Sequence, residues 1–126
     1  MKVVLCGATG LVGQEILRVL EQRDFPVESL IPVASYKSVG KMILFRDKQI
    51  EVCSVDQAIN SNADIALFSA GGDFSKKYAK EFAKNGIRVI DNSSAWRMDQ
   101  KVKLIVPEVN GIELAESDMI IANPNC

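Results

Sequence analysis

A cysteine near the end of a predicted strand is the side chain in this sequence best suited to covalent chemistry. Cys126 follows the apolar run Met119–Ala122, a predicted strand, across the residues Asn123-Pro124-Asn125. Proline suits the first turn of a helix, and the free N–H groups of such a turn stabilise a thiolate. Cys126 is therefore placed like a nucleophile.

An arginine follows another predicted strand, Ile87–Asp91. Arg97 lies in the loop Asn92–Met98, which is rich in hydrogen-bond donors, and a guanidinium in such a loop can clamp a phosphate or a carboxylate. A surface arginine packed along Trp96 is an equally good interpretation of the same residues. The sequence contains no histidine, which excludes a Cys–His or Ser–His catalytic pair within this chain.

The stretch Lys2–Gly13 predicts a nucleotide-binding turn. An unbroken apolar run, Val3–Cys6, is typical of a buried parallel strand, and a helical pattern follows over Gln14–Gln22. Between them, one glycine permits a sharp turn, the next lets backbone approach a pyrophosphate, and the last lets the helix pack close to the strand; these are Gly7, Gly10 and Gly13. The spacing is G-x-x-G-x-x-G rather than G-x-G-x-x-G, so a tight turn without a ligand is the alternative.

The residues after the second predicted strand, Leu30–Ala34, indicate which dinucleotide is bound. NAD-binding units carry Asp or Glu there to hold the ribose 2′-hydroxyl. This chain has no carboxylate at that point and instead offers two hydroxyls and a cation, Ser35, Lys37 and Ser38. These groups favour the 2′-phosphate of NADP. A solvated polar turn is the alternative.

The rest of the chain alternates strands with helices, which predicts an α/β fold: a Rossmann-type, doubly wound and mostly parallel sheet. Ser69, Gly71 and Gly72 follow the predicted strand Asp64–Phe68 at its carboxyl end, where such sheets bind ligands. The helix after them should be capped by Asp73 or Ser75. The other predicted elements are a hairpin (Lys41–Phe45, Gln49–Val52), one helical turn (Asp56–Asn60), a short strand (Lys103–Val106) and a weak helix (Gly111–Glu116).

Composition narrows the classes of partner. The chain has 126 residues and a net charge of −1, which predicts one globular unit with no basic surface for nucleic acid or an anionic membrane. No apolar run approaches the roughly 20 residues of a membrane span, and Met1-Lys2 leads straight into a strand, which predicts no signal peptide. Its three cysteines, Cys6, Cys53 and Cys126, are too scattered for a disulfide framework or a metal site, so we expect a reducing cytoplasm.

Six stretches of the sequence resemble the N-terminal, NADP-binding portion of the bacterial aspartate-semialdehyde dehydrogenases. They run end to end in that family's order: GATGLVG, ASYKSVG, ALFSAGG, VIDNSSAWRMD, VPEVN and IIANPNC. The resemblance implies NADPH-dependent reductive dephosphorylation of aspartyl phosphate to aspartate semialdehyde, with release of phosphate. This reaction serves the biosynthesis of lysine, methionine, threonine and diaminopimelate.

The resemblance also implies residue roles. Cys126 is the acyl-thioester nucleophile, Arg97 binds the acyl phosphate, and Asn125 orients the thioester. The cofactor contacts it implies are a pyrophosphate loop (Thr9, Gly10, Leu11, Val12), a 2′-phosphate pair (Lys37, Ser38, where the family usually has Arg-Ser) and a further loop (Ser69, Gly71, Gly72). A C-terminal catalytic and dimerisation domain, which carries the family's histidine acid–base, lies outside residues 1–126, so we expect a homodimer for the whole enzyme and no activity for this chain alone.

Two alternatives remain. N-acetyl-glutamyl-phosphate reductase performs the same chemistry on another acyl phosphate, but typically has Asn-Pro-Gly-Cys where this chain has Asn-Pro-Asn-Cys. A non-catalytic NADP-binding module is the alternative from another functional class, and the absence of histidine fits it.

Overall fold

The computed structural model describes residues 1–124, which form a six-stranded parallel sheet, a separate hairpin and helices on both faces of the sheet. In chain order the strands are β1 (Lys2–Cys6), β2 (Ser29–Val33), β3 (Met42–Phe45), β4 (Lys48–Glu51), β5 (Ile65–Phe68), β6 (Arg88–Asp91), β7 (Lys103–Leu104) and β8 (Ile120–Ala122). The main sheet has the order β2-β1-β5-β6-β8-β7, with every neighbouring pair parallel, and β3 pairs antiparallel with β4.

The helices are short and belong to the connections between strands. They are α1 (Leu11–Gln22), α2 (Val55–Ile59), α3 (Gly72–Lys84) and α4 (Pro107–Asn110), with 3-10 turns at Tyr36–Ser38 and Gly111–Glu113. The apolar side chains of α2 and α3 pack on one face of the sheet, and those of α1 and the hairpin pack on the other. This arrangement confirms the predicted doubly wound α/β fold.

Strand β1 is the centre of both cores. Val3 and Leu5 belong to the cluster under α1, whereas Val4 and Cys6 belong to the cluster under α3, and none of the four is exposed to solvent. A strand covered on both faces requires apolar residues at consecutive positions, which explains the unbroken run seen in the sequence.

Pro32 is compatible with β2 because that strand lies at the edge of the main sheet. The carbonyl oxygen of Pro32 accepts a hydrogen bond from the N–H of Cys53, on the side away from β1. The N–H and C=O groups of one residue point to the same side of a strand, so the N–H that proline lacks is not needed by the β1–β2 ladder. On the outer side of β2, Val33 and Cys53 form a single parallel bridge at the place where a further strand would extend the sheet.

The predicted hairpin is confirmed, and the conformation of its turn matches the twist of its two strands. Arg46 and Asp47 form the two-residue connection and both have positive φ, 49° and 62°. Two consecutive positive values define a turn whose twist matches that of the paired strands. The guanidinium of Arg46 donates to the backbone carbonyls of Phe25 and Val27. These bonds hold the hairpin against the segment that follows α1.

Other element boundaries differ from the prediction at helix ends and in the last crossover. Helix α1 begins three residues earlier than Gln14, because the positions before it already have helical backbone geometry despite their glycine content. The expected helix over Gly111–Glu116 is replaced by α4 and a 3-10 turn, because Pro107 begins a helix and the chain then turns at Gly111.

A pair of cationic side chains fixes the loop before β8. The guanidinium of Arg88 donates to the carbonyl oxygens of Glu116 and Asp118, and the Lys103 ammonium lies 2.8 Å from the Asp118 carboxylate. The hydrogen bond from Lys103 lowers the pKa of Asp118. This loop therefore closes the far edge of the sheet at its amino end, away from the predicted ligand site. Within residues 1–124, no helix is long and apolar enough to cross a membrane.

The close contact of α1 with the β1 turn predicts a large effect of one methyl group. A Cβ on Gly13 would overlap the carbonyl group of Gly7, whereas a Cβ on Gly111 would meet only a Pro107 side-chain carbon at 3.9 Å. We expect Gly13→Ala to lower the free energy of unfolding by about 2–4 kcal/mol, because backbone must move to make room. Urea denaturation of both variants measures this, and equal stability of Gly13→Ala and Gly111→Ala would contradict the contact.

Candidate functional site

The loops predicted to carry the site meet at the carboxyl edge of the sheet. The chain runs from β1 to β2 through α1 on one face and enters β5 from α2 on the other, so the strand order reverses beside β1. A crevice opens at such a point in doubly wound sheets. Each loop begins with a backbone hydrogen bond of 2.9 Å to the end of a neighbouring strand: Gly7 to Val33, Ser69 to Cys6, Asn92 to Phe68 and Asn123 to Asp91.

The floor of the crevice is a backbone contact between two loops. Gly7 has φ +88°, and a Cβ at this position would overlap the carbonyl group of Ser69. No other residue type fits there, because both the positive φ and the contact exclude a side chain. The glycine turn and the loop Ser69–Gly72 therefore approach each other as closely as two backbones can.

The first turn of α1 presents free N–H groups at this crevice. Gly10 is the N-cap and no side chain caps the helix. The side chains on this turn do not cover it, because Thr9 is exposed, Leu11 is 93% exposed and Val12 is 49% exposed. An uncapped N-terminus of a twelve-residue helix, with its positive dipole end, is suited to binding phosphate groups.

Helix α3 also begins without a side-chain cap. Its N-cap is Gly71, with φ +87° and open space around it, and Gly72 is the first helical residue. The prediction that Asp73 or Ser75 caps this helix is wrong. Asp73 lies exposed in the first turn, and the hydroxyl of Ser75 is buried and donates to Asp91 at 2.9 Å. The backbone N–H groups of this turn consequently remain available to a ligand.

The loop after β2 borders a pocket of about 330 Å³. Ser35 and Lys37 are exposed and Ser38 is half-buried, in a 3-10 turn closed by a hydrogen bond from the Ser38 N–H to the Ser35 carbonyl. In the described part of the chain, Lys37 forms no ion pair. The pocket is lined by residues of this loop, of α2 and of α3: Ala34, Tyr36, Val39, Ser54, Val55, Asp56 and Tyr78.

Arg97 follows β6 in the sequence, but its side chain reaches the end of β8. Its Nε donates to the carbonyl oxygen of Asn123 at 2.8 Å, and its terminal nitrogen donates to the carbonyl of Asn92 at 3.1 Å. The side chain is half-buried, whereas Trp96 is buried with only 7% of its surface exposed and packs in the core under α3. The guanidinium is thus held by two backbone carbonyls and is not fully exposed on the surface.

Asn123 directly follows β8, and the predicted nucleophile is three residues further along the chain. Asn125 and Cys126 lie outside the described residues, so their predicted roles stay predictions. An apolar cleft of about 200 Å³ joins the start of α1 to the ends of β5, β6 and β8. It is lined by Val12, Ile16, Leu67, Phe68, Ile90, Asn92 and Asn123.

The sequence analysis missed Asp91. Its carboxylate is completely buried at the end of β6 and accepts hydrogen bonds from Ser75 and from both the N–H and the hydroxyl of Ser93. An aspartate followed two residues later by serine is the pattern of a side-chain-to-backbone turn, and this signal was present in the sequence.

The two cysteines in the described residues lie in surroundings that do not favour the reactive thiolate form. Both are free thiols, and burial raises the pKa of the Cys6 thiol well above its usual range. Burial and the nearby charge of Glu51 also raise the pKa of Cys53. A thiol with a raised pKa is neutral at physiological pH and is a poor nucleophile. Within residues 1–124, no group of three or more His, Cys, Asp or Glu side chains is placed to hold a metal ion.

Comparison with known proteins gives one consistent result. An aspartate-semialdehyde dehydrogenase from Aquifex aeolicus is 51% identical over 128 residues, which cover 99% of this chain and 38% of the relative. One from Bacillus subtilis is 44% identical over 126 residues, covering 100% of this chain and 36% of the relative. The chain thus spans less than two fifths of the length of these relatives.

Solved structures and a family match agree with these relatives. Aspartate semialdehyde dehydrogenase II from Vibrio cholerae, complexed with ASA, superimposes with a TM-score of 0.93 at 47% identity, over 99% of this chain and 42% of that one. Residues 2–117 match the family described as "Semialdehyde dehydrogenase, NAD binding domain". The match covers nearly the whole chain, and the glycine turn, the switch-point crevice and the sheet order are those expected of such a domain. The chain belongs to the NAD-binding domain family of the semialdehyde dehydrogenases.

Proposed function

We propose that this chain is the NADP-binding part of an enzyme that reduces L-aspartyl 4-phosphate to L-aspartate 4-semialdehyde and releases phosphate. The observation that carries the proposal is the position of Arg97. Its guanidinium donates to the carbonyl oxygens of Asn92 and Asn123, and these two residues line the cleft that also borders Val12 in the first turn of α1. A side chain suited to anions and a helix terminus suited to phosphate thus lie at the same edge of the sheet, and the sequence continues from this strand end to Cys126.

The pyrophosphate of the dinucleotide is assigned to the two uncapped helix starts. At α1 the contacts are the N–H groups of the turn that contains Thr9, Gly10, Leu11, Val12 and Gly13, with Gly7 below it. At α3 they are the backbone of Ser69, Gly71 and Gly72. Both sets face the crevice at the switch point, and neither is occupied by a side-chain cap.

The 2′-phosphate of NADP is assigned to the loop after β2. Lys37 supplies a charge that no carboxylate in the described residues neutralises, and Ser35 and Ser38 supply hydroxyls on either side of it. The adenine then occupies the pocket bordered by Tyr36, Val55 and Tyr78, which has the size and the aromatic lining for a flat base. Lysine binds phosphate as a point charge and not as a fork, so the preference over NAD rests on charge more than on geometry.

The chemistry assigned to the chain's own residues begins at Cys126. Its thiolate attacks the acyl carbon, a C–S bond forms, and the C–O bond to phosphate breaks to leave a thioester. Arg97 balances the charge of the phosphate before and after this step. NADPH, when bound, would supply a hydride to the thioester carbon; breaking the C–S bond then releases the aldehyde and regenerates the Cys126 thiolate. Asn125 is assigned to hold the thioester carbonyl during these steps.

The acid–base group of the reaction is assigned to a region outside these residues, because the chain has no histidine. The free thiols Cys6 and Cys53 support a reducing, cytoplasmic location. A homodimer for the whole enzyme and a C-terminal catalytic domain, both implied by the resemblance, stay predictions. The shared name of the relatives favours aspartyl phosphate over N-acetylglutamyl phosphate as the substrate.

Reversing the charge at Lys37 should reverse the cofactor preference. We expect the unaltered chain to bind NADP at least about tenfold more tightly than NAD, which corresponds to about 1.4 kcal/mol. Lys37→Glu should bind NAD as well or better and lose NADP, because a carboxylate repels the 2′-phosphate and accepts from a ribose hydroxyl. Calorimetric titration at matched low salt measures both affinities. The control is Lys48→Glu, the same charge change on β4; a similar loss there would mean that net charge and not contact decides.

A methyl group at Gly10 should impair cofactor binding without destabilising the fold. Gly10 has φ −80°, which other residues adopt, and a Cβ there would meet only the Gly7 carbonyl oxygen, at an ordinary 3.5 Å. We expect Gly10→Ala to change the free energy of unfolding by less than about 1 kcal/mol. Its NADP affinity should fall at least about tenfold, because the methyl keeps the pyrophosphate from the backbone. Unchanged NADP affinity in a folded Gly10→Ala chain would remove the pyrophosphate from this turn.

The reaction itself requires the remainder of the enzyme. We expect residues 1–126 alone to show no turnover, and a fusion of these residues to the remaining length of the Aquifex aeolicus relative to form NADPH from aspartate semialdehyde, NADP and phosphate. In that fusion, Cys126→Ser should abolish turnover, and Arg97→Ala should raise the KM for phosphate more than that for NADP. A fusion that binds NADP but never turns over would favour the non-catalytic alternative. Turnover by residues 1–126 alone would show that they hold their own acid–base group.

A further inference from the structure

The carboxylate of Asp91 has no direct ionic partner within residues 1–124, although it is completely buried. Three neutral donors satisfy it: the Ser75 hydroxyl at 2.9 Å, the Ser93 N–H at 2.8 Å and the Ser93 hydroxyl at 2.8 Å. Burying a carboxylate without a cation is unfavourable unless every acceptor position is used. An apolar residue would fill this position at a lower free-energy cost of burial. This indicates that Asp91 serves to hold other groups in place through its hydrogen bonds.

The carboxylate joins two parts of the candidate site. Ser75 lies in the first turns of α3, directly after the loop assigned to the cofactor, and is itself completely buried. Ser93 begins the turn that carries Arg97, and its hydroxyl also accepts a hydrogen bond from the N–H of Ala95. Asp91 therefore fixes the start of α3 and the start of the Arg97 loop to the same strand end.

The turn held by Asp91 determines where the guanidinium of Arg97 lies. The Arg97 N–H bonds to the Ser94 carbonyl, and its side chain bonds to the carbonyl oxygens of Asn92 and Asn123. The main chain of Asp91 contributes as well, because its carbonyl accepts from the Asn123 N–H at 2.9 Å. One residue thus anchors the loop that bears the guanidinium and the strand end that the guanidinium contacts.

We propose that Asp91, through Ser93, is a positioning residue that holds the Arg97 guanidinium at the end of β8. The inference rests on the proposed function for the purpose of this arrangement, namely the binding of a phosphate group by Arg97. The positioning itself concerns only residues of this chain.

Loss of the Ser93 hydroxyl tests the proposal by a direct readout of the guanidinium. We expect Ser93→Ala to speed hydrogen exchange of the Arg97 Nε–H at least about fivefold, measured by NMR on isotopically labelled chain. The dissociation constant for inorganic phosphate should rise about fivefold or more, and that for NADP should change less than about twofold. Ser93→Thr keeps the hydroxyl and should restore both values.

The matched control is Ser61→Ala, which removes one half-buried serine hydroxyl hydrogen bond, to the Ala58 carbonyl, far from Arg97. Equal exchange rates in Ser93→Ala and the unaltered chain would overturn the proposal. So would equal acceleration in Ser61→Ala, or a failure of Ser93→Thr to restore protection, because general destabilisation would then explain the effect. If the unaltered chain binds no phosphate but Nε–H exchange responds as expected, the positioning role stands and the phosphate role assigned to Arg97 is wrong.

Discussion

The rest of this structure depends on the close backbone contacts of the glycine turn after β1, with the loop after β5 on one side and with α1 on the other. Gly7 lies against the carbonyl group of Ser69 on one side, and Gly13 lies against the carbonyl group of Gly7 on the other. Neither position has space for a single carbon atom. This contact sets the distance from β1 to the start of α1 and from β1 to the loop after β5, and so sets the width of the crevice at the switch point.

Close backbone packing of this kind has an electrostatic consequence. It brings the starts of α1 and α3 to the same edge of the sheet, and both helices begin at glycine without a side-chain cap. Uncapped N–H groups at a helix start are unfavourable unless water or a ligand satisfies them. On α2 this requirement is met locally, since Ser54 and Gln57 form a complete capping box. Helix α4 also lacks a side-chain cap, but its first residue, Pro107, has no N–H to satisfy. The starts of α1 and α3 therefore mark the place where a phosphate group would supply the missing partner.

Much of the fold could be predicted from the sequence because its signals are local. The apolar run of β1, the alternating pattern of the hairpin and the glycine spacing each depend on residues a few positions apart. The positions of the loops after β1, β2 and β5 could be predicted for the same reason. What could not be predicted were contacts between residues distant in sequence: Ser75 with Asp91, and Arg97 with Asn123. Ser75 has the right residue type for a cap, but α3 already begins at Gly72, and the buried Ser75 hydroxyl donates to the Asp91 carboxylate instead.

Hydrogen bonds between residues distant in sequence also explain why the loops at the carboxyl edge of the sheet keep fixed positions relative to one another. The loops after β1 and β5 depend on the backbone contact at Gly7, whereas the Arg97 loop depends on side-chain hydrogen bonds to Asp91. The inter-strand hydrogen bonds that begin each loop connect these two regions, from Gly7 through Ser69 and Asn92 to Asn123. Because each of these bonds joins the first residue after one strand to the last residue of a neighbouring strand, a loop cannot shift without breaking a bond to that strand. The arrangement keeps the Arg97 guanidinium, which we propose binds the substrate phosphate, at a fixed separation from the start of α1, which we propose binds the cofactor. A fixed separation of this kind is what transfer between a bound cofactor and a second, separately held substrate requires.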